Sequence, residues 1–74
     1  MLSKTKFREI VAKNIKRERL KKGLTQDELS FKCGFYRTNI NLLETEKRSP
    51  SSFSLYKIAK ALQIQVDKLY PETV

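Results

Sequence analysis

The sequence predicts an all-α domain, a compact five-helix bundle, and three observations carry that expectation. Apolar residues recur three and four positions apart, which is the spacing of one helix face. No stretch of convincing length alternates apolar with polar residues as a half-buried strand would. Glycine and proline, two of each, stand between the periodic segments rather than inside them. With 74 residues the chain reads as one domain, residues 1–74. Near this size roughly 60% of the unfolded surface is buried on folding, so the core only just suffices. There is no room for a second module that senses a small molecule, and no such ligand is expected.

The first helix is expected from about Thr5 to Lys21, with Phe7, Ile10, Val11 and Ile15 on one side and Gly23 as its stop. Its last turn is basic, which suits the negative end of the helix dipole. A second helix runs from about Gln26 to Cys33 and a third from about Arg37 to Glu46. The polar run EKRSPSS, from Glu46 to Ser52, separates the third helix from a fourth at about Ser52 to Leu62. Leu55, Ile58, Ala59 and Leu62 form the inner stripe of that fourth helix. A short fifth turn or helix is expected from Val66 to Tyr70, ended by Pro71.

Residues 25 to 46 are the most informative stretch. Thr25 and Glu28 have the spacing of a capping box, which marks the start of the second helix. Two helices crossing steeply over a turn of three or four residues need a small residue on the first and tolerance of positive φ at the turn. Ser30 and Gly34 supply them. Leu29 and Cys33 on the second helix, Ile40 and Leu43 on the third, and Phe35 across the turn would fill the crossing. This is the construction of a helix-turn-helix, whose second helix enters the major groove of DNA.

Sixteen Lys and Arg against eight Asp and Glu give a net charge of +8 and a pI near 9.9. That balance fits an anionic partner, double-stranded DNA first and a membrane surface second. With no His and a single Cys, neither a structural zinc site nor an intrachain disulfide can form, so packing must hold the fold. Cys33 reads as a small buried apolar residue in a reducing, cytoplasmic setting. The opening MLSKTKF lacks the apolar core of an export signal, and no run approaches the ~18 apolar residues of a membrane span. No clustered carboxylates, no nucleophile beside a base and no phosphate-cradling glycine loop are present, so neither an enzyme nor a cofactor site is expected.

The ordered residues Arg19, GLTQ at 23 to 26, Glu28, Leu29, Gly34, Ile40, Glu44, Pro50, Ser51, Leu55 and KIAKAL at 57 to 62 resemble the Cro/C1-type helix-turn-helix family of phage repressors and bacterial regulators. The likeness covers about residues 7 to 70. It implies a compact five-helix domain that usually dimerises on operator DNA. Arg37, Thr38 and Ile40 after Gly34 are similar to the controller proteins of restriction-modification systems. The resemblance also implies that Gln26 bonds a DNA phosphate and that Arg19 and Glu44 form a partly buried ion pair tying the first helix to the third. Five positions depart from the family pattern. Glu18 falls within the apolar stripe of the first helix and Leu20 outside it, so either the helix is rotated or Leu20 meets another surface. Glu46 and Gln63 stand where glycine is frequent, and each must adopt positive φ or use a different turn. Phe31 adds exposed apolar area that would flank DNA or pack on a partner.

At 100° per residue, Ile40 and Leu43 point inward while Arg37, Thr38, Asn41, Leu42 and Thr45 fan around the opposite side of the third helix. Arg37 suits a bidentate contact to guanine and Asn41 one to adenine, with Asn39 nearer the flank. Leu42 would touch a thymine methyl or pack on a neighbour. Thr25, Gln26, Tyr36, Thr45, Lys47 and Arg48 are the candidate phosphate contacts, with Lys13, Lys16 and Arg17 as extensions. Tyr36 would lie on the DNA backbone or over Phe35. Ile64, Val66, Leu69, Tyr70 and Val74 give residues 64–74 more apolar groups than a short terminal helix can bury, so they are the candidate homodimer contact. The expected function is sequence-specific, autoregulatory control of transcription by a dimer on a short palindromic operator. Controller-like and phage-repressor-like roles both fit, a contact with RNA polymerase would decide activation, and an antitoxin that represses its own operon is the alternative.

Overall fold

A computed structural model describes residues 2–72. Four α-helices follow one another: α1 at Lys4–Lys21, α2 at Gln26–Cys33, α3 at Asn39–Glu44 and α4 at Ser52–Leu62. A single 3-10 turn, Val66–Lys68, comes after them, and no strand occurs among the described residues. The expected fifth helix is therefore corrected to one turn. Three successive carbonyls there are taken by side chains of α1. Asn14 Nδ2 donates to Leu69 O at 3.1 Å and Tyr70 O at 3.3 Å, and Arg17 Nη2 donates to Lys68 O at 3.2 Å. Backbone acceptors satisfied from outside gain nothing by continuing a helix, and so short a segment would not repay nucleation.

Side chains open three of the helices. Ser3 Oγ accepts from Lys6 N and Ser51 Oγ from Ser54 N, both at 3.0 Å. Thr25 and Glu28 form a reciprocal box, with Thr25 N donating to Glu28 Oε1 at 2.8 Å and Glu28 N to Thr25 Oγ1 at 3.0 Å. All four helices close in one manner, on a left-handed residue followed by an amide that reaches five residues back. The left-handed residues are Gly23, Gly34, Glu46 and Gln63, with φ of 71°, 71°, 64° and 58°. The returning amides are Leu24 N to Arg19 O, Phe35 N to Ser30 O, Lys47 N to Leu42 O and Ile64 N to Ala59 O. Glu46 and Gln63 thus take the strained option, at roughly 1 kcal/mol or more each.

The core joins Val11 and Ile15 of α1, Leu29 and Cys33 of α2, Ile40 and Leu43 of α3, Leu55, Ile58, Ala59 and Leu62 of α4, and Leu69. Each large member is sealed from water, and burial of such a side chain contributes about 1.5–3 kcal/mol before entropy is counted. Leu69 was expected at a dimer contact; this is corrected, because its side chain is fully buried within the single chain. Tyr70 is half-buried against Phe7, their rings 6.0 Å apart.

The inner face of α1 changes character along its length. Val11 and Ile15 are apolar, whereas Asn14, Glu18 and Arg19 are buried and polar. The helix is not rotated to exchange Glu18 for Leu20, which stays 57% exposed. Burial works to raise the Glu18 pKa, but the hydrogen bond from Arg17 at 3.0 Å and the charges of Lys21 and Arg17 outweigh it and hold the carboxyl below its ordinary range.

Candidate nucleic-acid interface

The crossing of α2 and α3 is built around Ser30, whose side chain is fully buried. A larger residue there would hold the helices apart. Its Oγ also accepts from Ile40 N at 3.3 Å, which supplies α3 with the cap that Thr38 does not provide. Gly34 is required by its φ of 71° and not by lack of space, since a Cβ would meet only the flexible tip of Lys57 at 3.6 Å.

Helix α3 is shorter than the expected span from Arg37 to Glu46. Arg37 and Thr38 lie in the turn that leads into it, and Thr45 and Glu46 in the turn that leaves it. The loop from Lys47 to Pro50 follows, with Arg48 Nη1 donating to Asn39 Oδ1 at 3.1 Å.

A continuous chain of hydrogen bonds runs from α1 to the outer surface of α3. Arg19 grips Glu44 through Nε to Oε2 at 2.7 Å and Nη2 to Oε1 at 3.0 Å, while its Nη1 donates to Leu24 O at 2.7 Å. Both charged side chains are nearly sealed, 8% and 3% exposed. Gln26 Nε2 adds a third donor to the carboxylate, reaching Glu44 Oε1 at 3.0 Å. Asn41 Nδ2 then donates to Gln26 Oε1 at 3.1 Å. Beside this chain, Arg37 Nε donates to Asp27 Oδ2 at 2.8 Å, across the opening of the helix pair. Because that bond uses Nε, the two terminal nitrogens of Arg37 remain for an outside partner.

Of the residues singled out by sequence, Arg37, Thr38, Asn41 and Thr45 are exposed along α3 and its flanking turns, together with Thr25, Tyr36, Lys47 and Arg48. Tyr36 is 87% exposed, so its ring does not lie buried over Phe35. Gln26, Asn39 and Leu42 are half-buried. Thr45 turns its hydroxyl back to Asn41 O at 2.7 Å, which occupies its proton locally. Toward the end of the chain Val66 is exposed, Ile64 and Tyr70 are half-buried, and Val74 lies outside the described residues. Asp27 and Asn14 were missed by sequence reasoning. The first could have been found from its place in the opening turn of α2, facing the turn that carries Arg37. The second has no local signal, because its partners lie 55 and 56 positions away.

A planar fork and an amide on one exposed ridge are the donor sets that match purine edges in the major groove. No helix of the described residues is long and apolar enough to cross a membrane. Residues 15–69 match the family model described as Helix-turn-helix, HTH_3. An uncharacterised HTH-type transcriptional regulator of Sinorhizobium fredii is 36% identical over 67 residues, covering 90% of this chain and 87% of that protein. The control protein C.SmaI of Serratia marcescens is 36% identical over 63 residues, covering 85% of this chain and 75% of that one. Among solved structures, the restriction-modification controller protein C.AhdI from Aeromonas hydrophila superposes with a TM-score of 0.81 at 28% identity, over 85% of this chain and 96% of its own. A hypothetical transcription factor from Neisseria does so with a TM-score of 0.86 at 28% identity, over 93% and 79%. With the crossing, the Arg19–Glu44 pair and the outward face of α3 all inside the matched span, the chain belongs to the helix-turn-helix family of transcriptional regulators.

Proposed function

We propose that this regulator binds double-stranded DNA as a homodimer, with α3 and the turn before it in the major groove of each half-site. The observation that carries the reading is the bracing of α3: its inner side is fixed through Ser30, Gln26 and Glu44, while Arg37, Thr38 and Asn41 remain outward. In this reading Arg37 contacts a guanine through its free terminal nitrogens, and Asn41 and Thr38 contact neighbouring bases. Gln26, Tyr36, Lys47 and Arg48 hold phosphates and set the register. Val66 and the exposed part of Ile64 supply the dimer contact, which places two α3 helices on a roughly palindromic operator. Kinship to control proteins supports an operator upstream of the protein's own gene, with RNA polymerase as a further partner.

A mobility-shift titration against the DNA upstream of its gene tests this. The wild type should bind that duplex at least tenfold more tightly than unrelated DNA at physiological salt, and Arg37→Ala should shrink the difference by about fivefold or more. Equal affinity for both duplexes would leave only a non-specific cationic binder.

A further inference from the structure

Resting on the DNA-reading role of α3, we infer that Glu44, acting through Gln26, fixes the amide orientation of Asn41, so that Asn41 reads an exocyclic amino group in the major groove. That group is N6 of adenine or N4 of cytosine.

The argument follows which atoms can face which. Glu44, doubly bonded to Arg19, is a carboxylate and can only accept. Gln26 must therefore turn its NH2 toward Glu44. The reverse orientation would set two oxygen acceptors about 3 Å apart beside a nearly sealed charge. With its NH2 committed, Gln26 presents Oε1 to Asn41, and that oxygen likewise can only accept. Asn41 must then turn its own NH2 inward. Its Oδ1, which has no hydrogen-bond partner among the described residues, is left on the outer face of α3.

Free on the surface, an asparagine amide rotates and offers a base either an acceptor or a donor. Here one orientation is imposed from the interior, three residues deep. An outward acceptor suits adenine and cytosine, which carry amino groups in the major groove. It opposes guanine O6 and thymine O4, which would face it oxygen to oxygen. The second Nδ2 hydrogen of Asn41 lies beside Oδ1, so the exposed edge reads acceptor then donor. That order matches adenine N6 and N7 in two bonds and cytosine N4 in one. Gln26 likewise keeps one Nε2 hydrogen, free for a phosphate oxygen. Asn41 is thus a specificity-determining residue and Gln26 a positioning residue.

Selection from a pool of upstream duplexes with each half-site randomised, read by sequencing and then by competition titration, tests this. The wild type should show one position where adenine or cytosine is preferred over guanine and thymine by about 5- to 100-fold. Asn41→Ala should erase the preference at that position alone. Gln26→Met keeps the length of the side chain without its hydrogen bonds, and should bring all four bases there within about threefold while the Arg37-dependent preference stays; total affinity and melting temperature both fall, because a donor to Glu44 and a phosphate contact are lost, so the readout is the ratio between bases in the folded protein. Asn41→Asp, which has acceptors only, should restore the amino preference in the Gln26→Met background, judged by base ratios since its charge lowers total affinity. Whether adenine or cytosine leads tells two bonds from one. A wild type without base preference at any position overturns the DNA-reading role and this inference with it. Preferences that survive both Asn41→Ala and Gln26→Met overturn this inference alone.

Discussion

Arg19 and Glu44 meet in two bonds of 2.7 and 3.0 Å at a place where both are nearly sealed from water. Bringing two charges out of solvent is costly, and their attraction offsets that cost only while both are present. Glu44→Ala should therefore destabilise the domain by about 3–5 kcal/mol, chiefly because Arg19 is left buried without its partner. In a chain of this size that corresponds to a fall of roughly 15 °C or more in melting temperature. Thermal and urea unfolding followed by circular dichroism would measure it. A variant that melts with the wild type would show that the pair holds nothing.

Arg37 and Asp27 form the contrasting case. Their bond is as short, 2.8 Å, yet the side chains are 83% and 55% exposed, and water screens the attraction. Arg37→Ala should change stability by less than about 1 kcal/mol while weakening operator binding by about 1–3 kcal/mol. Fluorescence anisotropy and a melting curve on the same sample separate the two effects. Loss of folding together with binding would make Arg37 a structural residue.

Glu46 and Gln63 hold left-handed backbone at the ends of α3 and α4, where Gly23 and Gly34 do the same work at the ends of α1 and α2. Glu46→Gly and Gln63→Gly should each raise stability by about 0.5–1 kcal/mol, the relief of strain exceeding the entropy that glycine adds to the unfolded chain. Urea midpoints would read this directly. A lower midpoint for Gln63→Gly would mean that its side chain contributes more than its backbone costs.

How much of this was legible beforehand follows from where the signals sit. Helices α2 and α4 were readable to the residue, since Thr25 and Ser51 cap them within three positions and the glycine or left-handed stop comes straight after. Helix α3 was overestimated because its cap is Ser30, ten positions earlier and on another helix. The fifth helix was overestimated because Asn14 and Arg17 take its carbonyls across more than fifty positions. Leu69 looked like a surplus apolar residue for the same reason: its place in the core depends on that distant tie. The outward set on α3 was visible from angles alone, whereas Asp27 and the order of atoms along Gln26 and Asn41 needed three dimensions.

Cys33 carries a titration that can be followed. Burial pushes its thiol up to about 11, against the opposing charge of Lys57. Because the folded value lies above the unfolded one, near 9, this contribution to stability is complete below about pH 9 and is lost as pH rises through about 11. At pH 8 the native protein should react with iodoacetamide far more slowly than the urea-unfolded chain. Equal rates would place the thiol at the surface.

The clasp between Asn14 and the carbonyls of Leu69 and Tyr70 spans 55 and 56 positions, so among the described residues it closes a long loop with few hydrogen bonds. Closing so long a loop on few hydrogen bonds costs chain entropy, so this end should open at a lower free energy than the α2–α3 crossing. Opening there would free residues 66 to 70 while Arg19, Glu44 and Ser30 still hold α3, so amide exchange should be quicker in the last turn than in α3. The last turn of the domain should therefore loosen without disturbing the crossing of α2 and α3.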